Sequence, residues 1–320
     1  MKSLIWIEEN PHITYALQEV FSNPRYGLNE WLKIIFLASP HQAQAYMATH
    51  EVDVVLLDPI VLDDAFCATL KGQRLFFYTH LNASEFVPLA KKHQVTHVLI
   101  KALPFDGNAL VEQLKRCLIP NFHESVWGFE TATKEVFRID NSDDMLTVMG
   151  RIEGVLENAL TLESRMEICT PLMEAITNAV YHAPKQVPHE EEDKYRKGQH
   201  IDSLNKGEAV TVTLHVNEEW VVVGIKDFQG TLQVESILHG LSKNFTQEGI
   251  YAENGRGFFL MYCLMDELQI TLVPEKSSEI LLVKSRQAVA NDESESPLIF
   301  VSEDEGAIKN KPLIVNVLSC

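Results

Sequence analysis

Two sets of polar residues carry the chemistry this sequence could perform. Glu8 and Glu9, Asp58, Thr79 and Lys101 each lie at the end of a short apolar run, and Glu174, Asn178 and Asp227 are followed by or spaced among Gly230, Gly255 and Gly257. In the first set, paired carboxylates can hold a hard divalent ion, and a third carboxylate beside that ion can attack phosphorus to give an acyl phosphate. Asp58 is the candidate nucleophile, with Glu8 and Glu9 as the paired ligands and Asp58 as the third. Lys101 would neutralise the added phosphoryl group as a point charge, and the Thr79 hydroxyl would bond to it and move on its arrival. The alternative for these residues is a row of solvated strand ends around a scaffold that accepts no phosphate.

Five apolar runs, Leu4 to Ile7, Ile34 to Ala38, Val54 to Leu57, Leu75 to Tyr78 and His97 to Ile100, alternate with helical periodicity such as Ala83 to Lys92 and Asn108 to Leu118. That alternation predicts a doubly wound parallel sheet, in which ligands gather beyond the carboxyl ends of the strands. Asp63 and Asp64 read as first-turn acids of the next helix, where the helix dipole favours negative charge. In the joint placement of Glu8, Glu9, Pro11, Asp58, Thr79 and Lys101, residues 1–120 resemble response-regulator receiver domains. The resemblance implies a flavodoxin-like fold, Mg2+ as cofactor, and phosphorylation of Asp58 by an upstream histidine kinase or another phosphodonor. Two features depart from the family: the acidic pair is Glu-Glu where aspartates are usual, and Ala-Leu-Pro follows Lys101 where proline is usual.

After Pro120 the period changes. A strand over Val136 to Ile139 leads to Asn141-Ser-Asp-Asp, a set of helix caps, and Met145, Val148, Met149, Ile152, Val155, Leu156 and Ala159 then recur at three and four. A second helix carries Glu174, Asn178 and His182, four apart and so on one face, and Pro171 must open or kink it. Taken alone, it is equally an ordinary amphipathic helix. Ala209 to Val216 and Trp220 to Ile225 alternate at period two around Asn217-Glu218, predicting a hairpin whose second strand runs into Asp227. Beyond Gly230 comes a segment without clear period. Gly255-Arg256-Gly257 then opens an apolar helix from Phe258 to Leu268, and a hairpin of Leu268 to Val273 with Glu279 to Val283 completes a mixed sheet. Glycines ahead of a helix let backbone amides approach an anion, and the helix end adds partial positive charge, so phosphate is the natural guest. A flexible turn is the alternative.

The order Glu174-x-x-x-Asn178, Asp227-x-x-Gly230, Gly255-x-Gly257 resembles the nucleotide boxes of GHKL (Bergerat) ATPases over residues 130–285. The resemblance implies an α/β sandwich in which Asn178 holds the Mg2+ that bridges the ATP phosphates. By it, Asp227 accepts a hydrogen bond from the adenine amino group, Gly255 and Gly257 belong to the phosphate lid, and Glu174 is the general base. Within that superfamily, Glu-Ala-Ile-Thr-Asn-Ala-Val-Tyr-His-Ala is most similar to the helix of anti-sigma-factor serine kinases. No histidine occurs between His123 and His182, so the phosphoacceptor helix of a sensor histidine kinase is missing. The adenine box, Asp227-Phe-Gln-Gly230-Thr-Leu, lacks the usual first glycine and has threonine where another is expected. The resemblance implies a protein serine/threonine kinase acting on a sigma-factor or anti-anti-sigma-type partner. The alternative is a binding module without chemistry that sequesters such a partner, and a homodimer is compatible with either.

The full chain has 320 residues, 46% of them hydrophobic, enough for two cores. Their expected extents are a receiver-like domain over 1–120, an ATPase-like domain over 125–286 with a polar insertion at 184–206, and an acidic tail over 287–320. A net charge of −18 sets the surface against nucleic acid and anionic lipid, both of which would be repelled. Five scattered cysteines, with no Cys-x-x-Cys pair, suggest neither a disulfide framework nor a zinc site. Acidic residues come too early for a secretion signal and no apolar run reaches the about 18 residues of a membrane span, which points to the cytoplasm.

Overall fold

The computed structural model describes residues 2–70, 72–95, 97–101, 105–119, 132–183, 200–204, 207–245, 256–286 and 313–317. They form two compact units, Met1–Pro120 with Pro312–Ile314, and Asn121–Lys311 with Val315–Cys320.

In the first unit β1 (Lys2–Ile7), β2 (Leu32–Leu37), β3 (Val54–Leu57), β4 (Arg74–Thr79) and β5 (His97–Ile100) pair in parallel in the order β2-β1-β3-β4-β5. Between them run α1 (Pro11–Ser22), α2 (Pro40–Met47), the short α3 (Asp64–Cys67) and α4 (Ala83–His93), with α5 (Gly107–Leu118) last. Period-two alternation explains why both sheet faces are covered. Leu4, Trp6, Val54, Leu56, Phe76, Tyr78 and Leu99 pack with Leu17 and Phe21 of α1 and Leu110 and Leu114 of α5. Their neighbours Ile5, Ile7, Val55, Leu57, Phe77 and Val98 are also buried, as are Phe86, Val87 and Ala90 of α4. Helix starts are locally encoded: Asn10 caps α1 ahead of Pro11, Ser39 caps α2 ahead of Pro40, and Asn82 with Glu85 forms a capping box on α4. Asp63 caps α3 by accepting from the Phe66 amide, and Asp64 lies in its first turn. The run at 313–317 is a strand, β11 (Leu313–Val317), whose first residues pair antiparallel with β5, Leu313 opposite Val98 and Ile314 opposite His97. Most of the acidic tail, including Leu298 to Val301, lies outside the described residues.

The second unit contains β6 (Thr133–Ile139), α6 (Ser142–Glu157), α7 (Leu162–Thr177), β7 (Val210–Val216), β8 (Trp220–Asp227), α8 (Val234–Phe245), α9 (Gly257–Leu264), β9 (Glu267–Val273) and β10 (Ser277–Ser285). Its strands pair in the order β9-β10-β8-β7-β6, and every pairing is antiparallel, so the expected mixed sheet is corrected to an antiparallel one. α7 packs on β8 and β10, α6 on β6 and α7, and α9 on α7 and β9. Three further expectations change. Pro171 does not open its helix, which leaves the kink as the surviving alternative: it lies buried inside α7, which starts nine residues earlier under the Thr161 cap. The last apolar helix stops at Leu264, because Glu267 and Leu268 already belong to β9. The segment after Gly230, read as lacking a period, holds α8, with Ile237, Leu238 and Leu241 buried. Among the described residues no helix is long and apolar enough to cross a membrane, and Cys67, Cys117, Cys169 and Cys263 are not joined in disulfides.

Trp6 is fully buried, with ring centroids 4.9 Å from Tyr78 and 5.5 Å from Phe21. Trp6→Ala should therefore cost the first unit about 3–5 kcal/mol, read as a lower urea midpoint by far-ultraviolet circular dichroism.

Candidate functional site

The parallel register brings four strand ends of the first unit side by side. Ile7 lies opposite Leu57, and Thr79 opposite Ile100, so Glu8, Asp58, Thr79 and Lys101 emerge along one edge. Lys101 Nζ donates to Asp58 Oδ2 at 2.7 Å and lies 3.9 Å from Glu8 Oε2, and all three side chains are largely buried, at 16%, 14% and 10% exposure. A cation bound between two carboxylates in so screened a place interacts more strongly than a surface pair would. The Lys101 ammonium also lies 5.2 Å from the centre of the Tyr78 ring. Burial, with a lesser push from the Glu8 carboxylate, raises the Tyr78 phenol and keeps it neutral. Asp58 holds its own loop by accepting from the Ile60 amide at 3.1 Å, and Glu8 accepts from the Asn10 amide at 3.0 Å. Thr79 is fully buried and its hydroxyl oxygen accepts from the Leu81 amide at 3.1 Å. Glu9 is exposed, and among the described residues no three His, Cys, Asp or Glu side chains converge as a metal-holding group, so Glu8, Glu9 and Asp58 are not gathered as a triad.

In the second unit the chemistry-bearing residues gather around the end of α7. Its last turn runs into a π-helical turn, Asn178–His182, closed by the Ala183 amide donating to the Asn178 carbonyl at 3.1 Å. Such wide turns recur at functional sites because they redirect side chains without ending the helix. Glu174 and Asn178 face the first residue of α9, Gly257. A β-carbon there would lie 3.0 Å from Glu174 Oε2 and 3.4 Å from Asn178 Nδ2, so any other residue would crowd both polar groups. His182 is the last residue of the wide turn and is exposed, so the four-residue spacing of an ordinary helix does not describe its position. Gly255 lies outside the described residues.

Asp227, 6% exposed, is the last residue of β8. Its Oδ1 accepts from the Gln229 and Gly230 amides at 2.9 and 3.1 Å, while its Oδ2 takes no hydrogen bond among the described residues. Gly230 has φ of 59°, and a β-carbon there would lie 2.5 Å from both Lys276 N and Val273 O. Its carbonyl accepts from the Glu275 amide at 3.1 Å, pinning the loop to the β9–β10 turn. Thr231, standing where a glycine is usual, donates its hydroxyl to the Ala183 carbonyl at 3.0 Å. The aspartate loop is thus tied to the turn that begins at Asn178. One residue was not foreseen. Ser278 lies directly opposite Asp227 in the β8–β10 register, is 2% exposed, and its Oγ has no hydrogen-bond partner among the described residues. Ser277-Ser278-Glu279 reads as an ordinary strand start, and only the pairing with Asp227 gives its second serine significance.

Residues 141–284 match the family described as the histidine kinase-like ATPase domain. These residues form a histidine kinase-like ATPase domain. The chain is also 26% identical over 132 residues to the anti-sigma F factor of Pasteuria penetrans, covering 41% of this chain and 75% of that protein. Outside the ATPase domain, the chain is similar to the signal receiver domain of an HD domain-containing protein from Pseudomonas fluorescens Pf-5, with 18% identity and a TM-score of 0.30 over 37% of this chain and 94% of the other. It is similar likewise to the chemotaxis response regulator CheY4 of Vibrio cholerae, with 15% identity and a TM-score of 0.29 over 36% and 98%. The architecture is a receiver-like unit of flavodoxin-like strand order followed by the ATPase domain.

The crowding at Gly230 gives a stability test within the ATPase domain. Gly230→Ala should cost about 1–2 kcal/mol from its left-handed backbone alone and more from the clash with the Val273–Ser277 turn, measured as a lower midpoint in chemical denaturation.

Proposed function

We propose that the ATPase domain binds ATP with Mg2+ and transfers the terminal phosphoryl group to a hydroxyl of a protein partner, under the control of a receiver-like unit that is itself phosphorylated on Asp58. The observation that carries this reading is the approach of Gly257 to Glu174 and Asn178, which sets a helix N-terminus, a carboxylate and a side-chain amide around one spot. Two further features fit a nucleotide. Asp227 Oδ2 is an unengaged acceptor suited to the adenine amino group, and Ser278 Oγ is a buried hydroxyl beside it that lacks a partner among the described residues. The amide oxygen of Asn178 is the hard kind of donor that Mg2+ takes, and that ion would offset the charge of the ATP phosphates. Glu174, beside the first residue of α9, would orient the attacking hydroxyl and take its proton. Gly257, with Gly255 preceding it, would bring backbone amides to the phosphates.

In the receiver-like unit Asp58 would be the phosphoacceptor, served by an upstream histidine kinase or a small phosphodonor. Glu8 and Asp58, both within reach of Lys101, would supply carboxylate oxygens to Mg2+, with Glu9 adjacent in the chain. Lys101 would pass from its 2.7 Å bond with Asp58 to the phosphoryl oxygens, and Thr79 would exchange the Leu81 amide for the same group. The partner is of the sigma-factor or anti-anti-sigma type, on the strength of the similarity to an anti-sigma F factor.

Calorimetry and transfer assays separate catalysis from mere binding. Asn178→Ala and Asp227→Ala should each weaken Mg-ATP binding at least about tenfold, the loss of one charge-assisted or metal-directed contact. Glu174→Ala should leave binding intact and slow transfer by about 100-fold or more. Unchanged transfer in Glu174→Ala would make the domain a binding module with no need of that base. For the first unit, incubation with a small phosphodonor should add one phosphoryl mass to the wild type and none to Asp58→Asn.

A further inference from the structure

The polar insertion after α7 was expected to stay outside any core, yet its described end does not. Ile201 and Leu204 are buried at 5% and 6% exposure against the start of α6. Ser142, the first residue of that helix, exchanges two hydrogen bonds with Ile201: its amide donates to the Ile201 carbonyl at 3.1 Å, and its Oγ accepts from the Ile201 amide at 2.7 Å. The Leu204 amide donates to the Asp140 carbonyl at 2.6 Å. The limb 201–204 is therefore sewn to the N-terminus of α6 by backbone groups that have no water to fall back on.

The same serine oxygen has a second partner. Tyr181, 8% exposed and inside the π-helical turn, bonds through its hydroxyl to Ser142 Oγ at 3.2 Å. Tyr181 is three residues beyond Asn178 and two before Ala183, whose amide closes the wide turn on the Asn178 carbonyl and whose carbonyl accepts from Thr231. The turn is thus gripped twice, by the aspartate loop through Thr231 and by the limb through Ser142 and Tyr181. A wide turn is a strained exception to the regular helix and persists only where its surroundings hold it. Both grips are single side-chain hydrogen bonds, the Thr231 one partly and the Tyr181 one fully buried, and a hydroxyl deleted on one side of the buried bond leaves its partner unsatisfied.

We infer that Ser142 and Tyr181 are positioning residues for Asn178, and that the docked limb Ile201–Leu204 regulates how well the second unit engages Mg2+ with its nucleotide. This rests on the nucleotide reading given above. When the limb is docked, Ser142 Oγ is held where Tyr181 can reach it, the wide turn is fixed, and the Asn178 amide is aimed. When the limb is displaced, the Ser142 oxygen loses its anchor, the turn can relax towards an ordinary helix, and the amide swings away. Anything that binds or shifts residues 201–204 would then act on metal-assisted nucleotide binding without touching the nucleotide.

The test uses the full chain and compares ATP affinity by calorimetry in excess Mg2+ and in EDTA. Tyr181→Phe is the mild variant, since it removes one hydroxyl and no packing volume; Ser142→Ala removes the shared acceptor, and Ser142→Thr restores an oxygen. The expected result is a five- to tenfold fall in the ratio of affinities with and without Mg2+ for Tyr181→Phe and Ser142→Ala, with affinity in EDTA unchanged and the ratio at least partly restored in Ser142→Thr. The double variant should fall no further than Ser142→Ala alone, because both changes break one bond. Equal losses with and without Mg2+ would mean general loosening of the domain and would overturn the inference, as would a ratio that does not move. A wild type that binds no ATP at all would instead sink the nucleotide reading, and this inference with it.

Discussion

The ATPase domain depends on one close approach. α9 begins close against the end of α7, and its first residue, Gly257, carries no side chain to press on Glu174 and Asn178. The surrounding structure serves to keep that approach. α7 is seated on β8 and β10, and Lys284 of β10 reaches it by bonding to Glu167 at 2.6 Å while also donating to the Leu264 carbonyl at the end of α9 at 3.0 Å. A single buried ammonium thus fixes one helix relative to the end of the other. The antiparallel sheet brings Asp227 to the same end, and Gly230, in a conformation that few other residues adopt, folds the aspartate loop back onto the sheet.

The receiver-like unit follows a different rule with a similar outcome. Parallel strands end together, so residues far apart in the chain reach one edge whatever their spacing. Apolar side chains on both faces fix the register, and a slip of one residue would turn each strand's inward set outward. Glu8, Asp58 and Lys101 meet because Ile7, Leu57 and Ile100 are where the apolar runs stop. What distinguishes this edge is its internal balance: one ammonium serves two carboxylates that are mostly removed from solvent.

Much of this was legible from residue order. The five apolar runs of the first unit are its five parallel strands, and the caps at Asn141 and the Asn217 turn lie where the hairpin and helix need them. The nucleotide boxes fell on α7, the end of β8 and the start of α9. What was not legible depends on pairing or on local exceptions to periodicity. α8 was missed although Val234, Ile237, Leu238 and Leu241 have helical spacing, because polar residues on its other face hide the stripe. Pro171 was read as opening or kinking its helix, and of the two the first fails, because α7 has begun nine residues earlier. The wide turn after Asn178 cannot be seen in spacing at all, for the sequence there is as helical as any. Ser278 comes to lie opposite Asp227 only through the β8–β10 register, and the insertion's end acquires a core position only through Ser142. Glu9 shows the limit of adjacency: β1 ends at Ile7 and the chain bends at Glu9, which is exposed, while Glu8 stays beside Lys101.

The β11 strand gives the first unit a history as well as a shape. β5 is complete at residue 100, but the strand that pairs with its outer edge is not made until residues 313–317. At about 5–20 residues per second of synthesis, roughly 10–40 s separate the emergence of one from the other. During that interval the nascent sheet presents a row of unsatisfied backbone donors and acceptors, the kind of edge on which polypeptides in crowded polysomes can cross-pair. Completing this sheet must therefore wait until residues 313–317 have been made, long after the five parallel strands have left the ribosome.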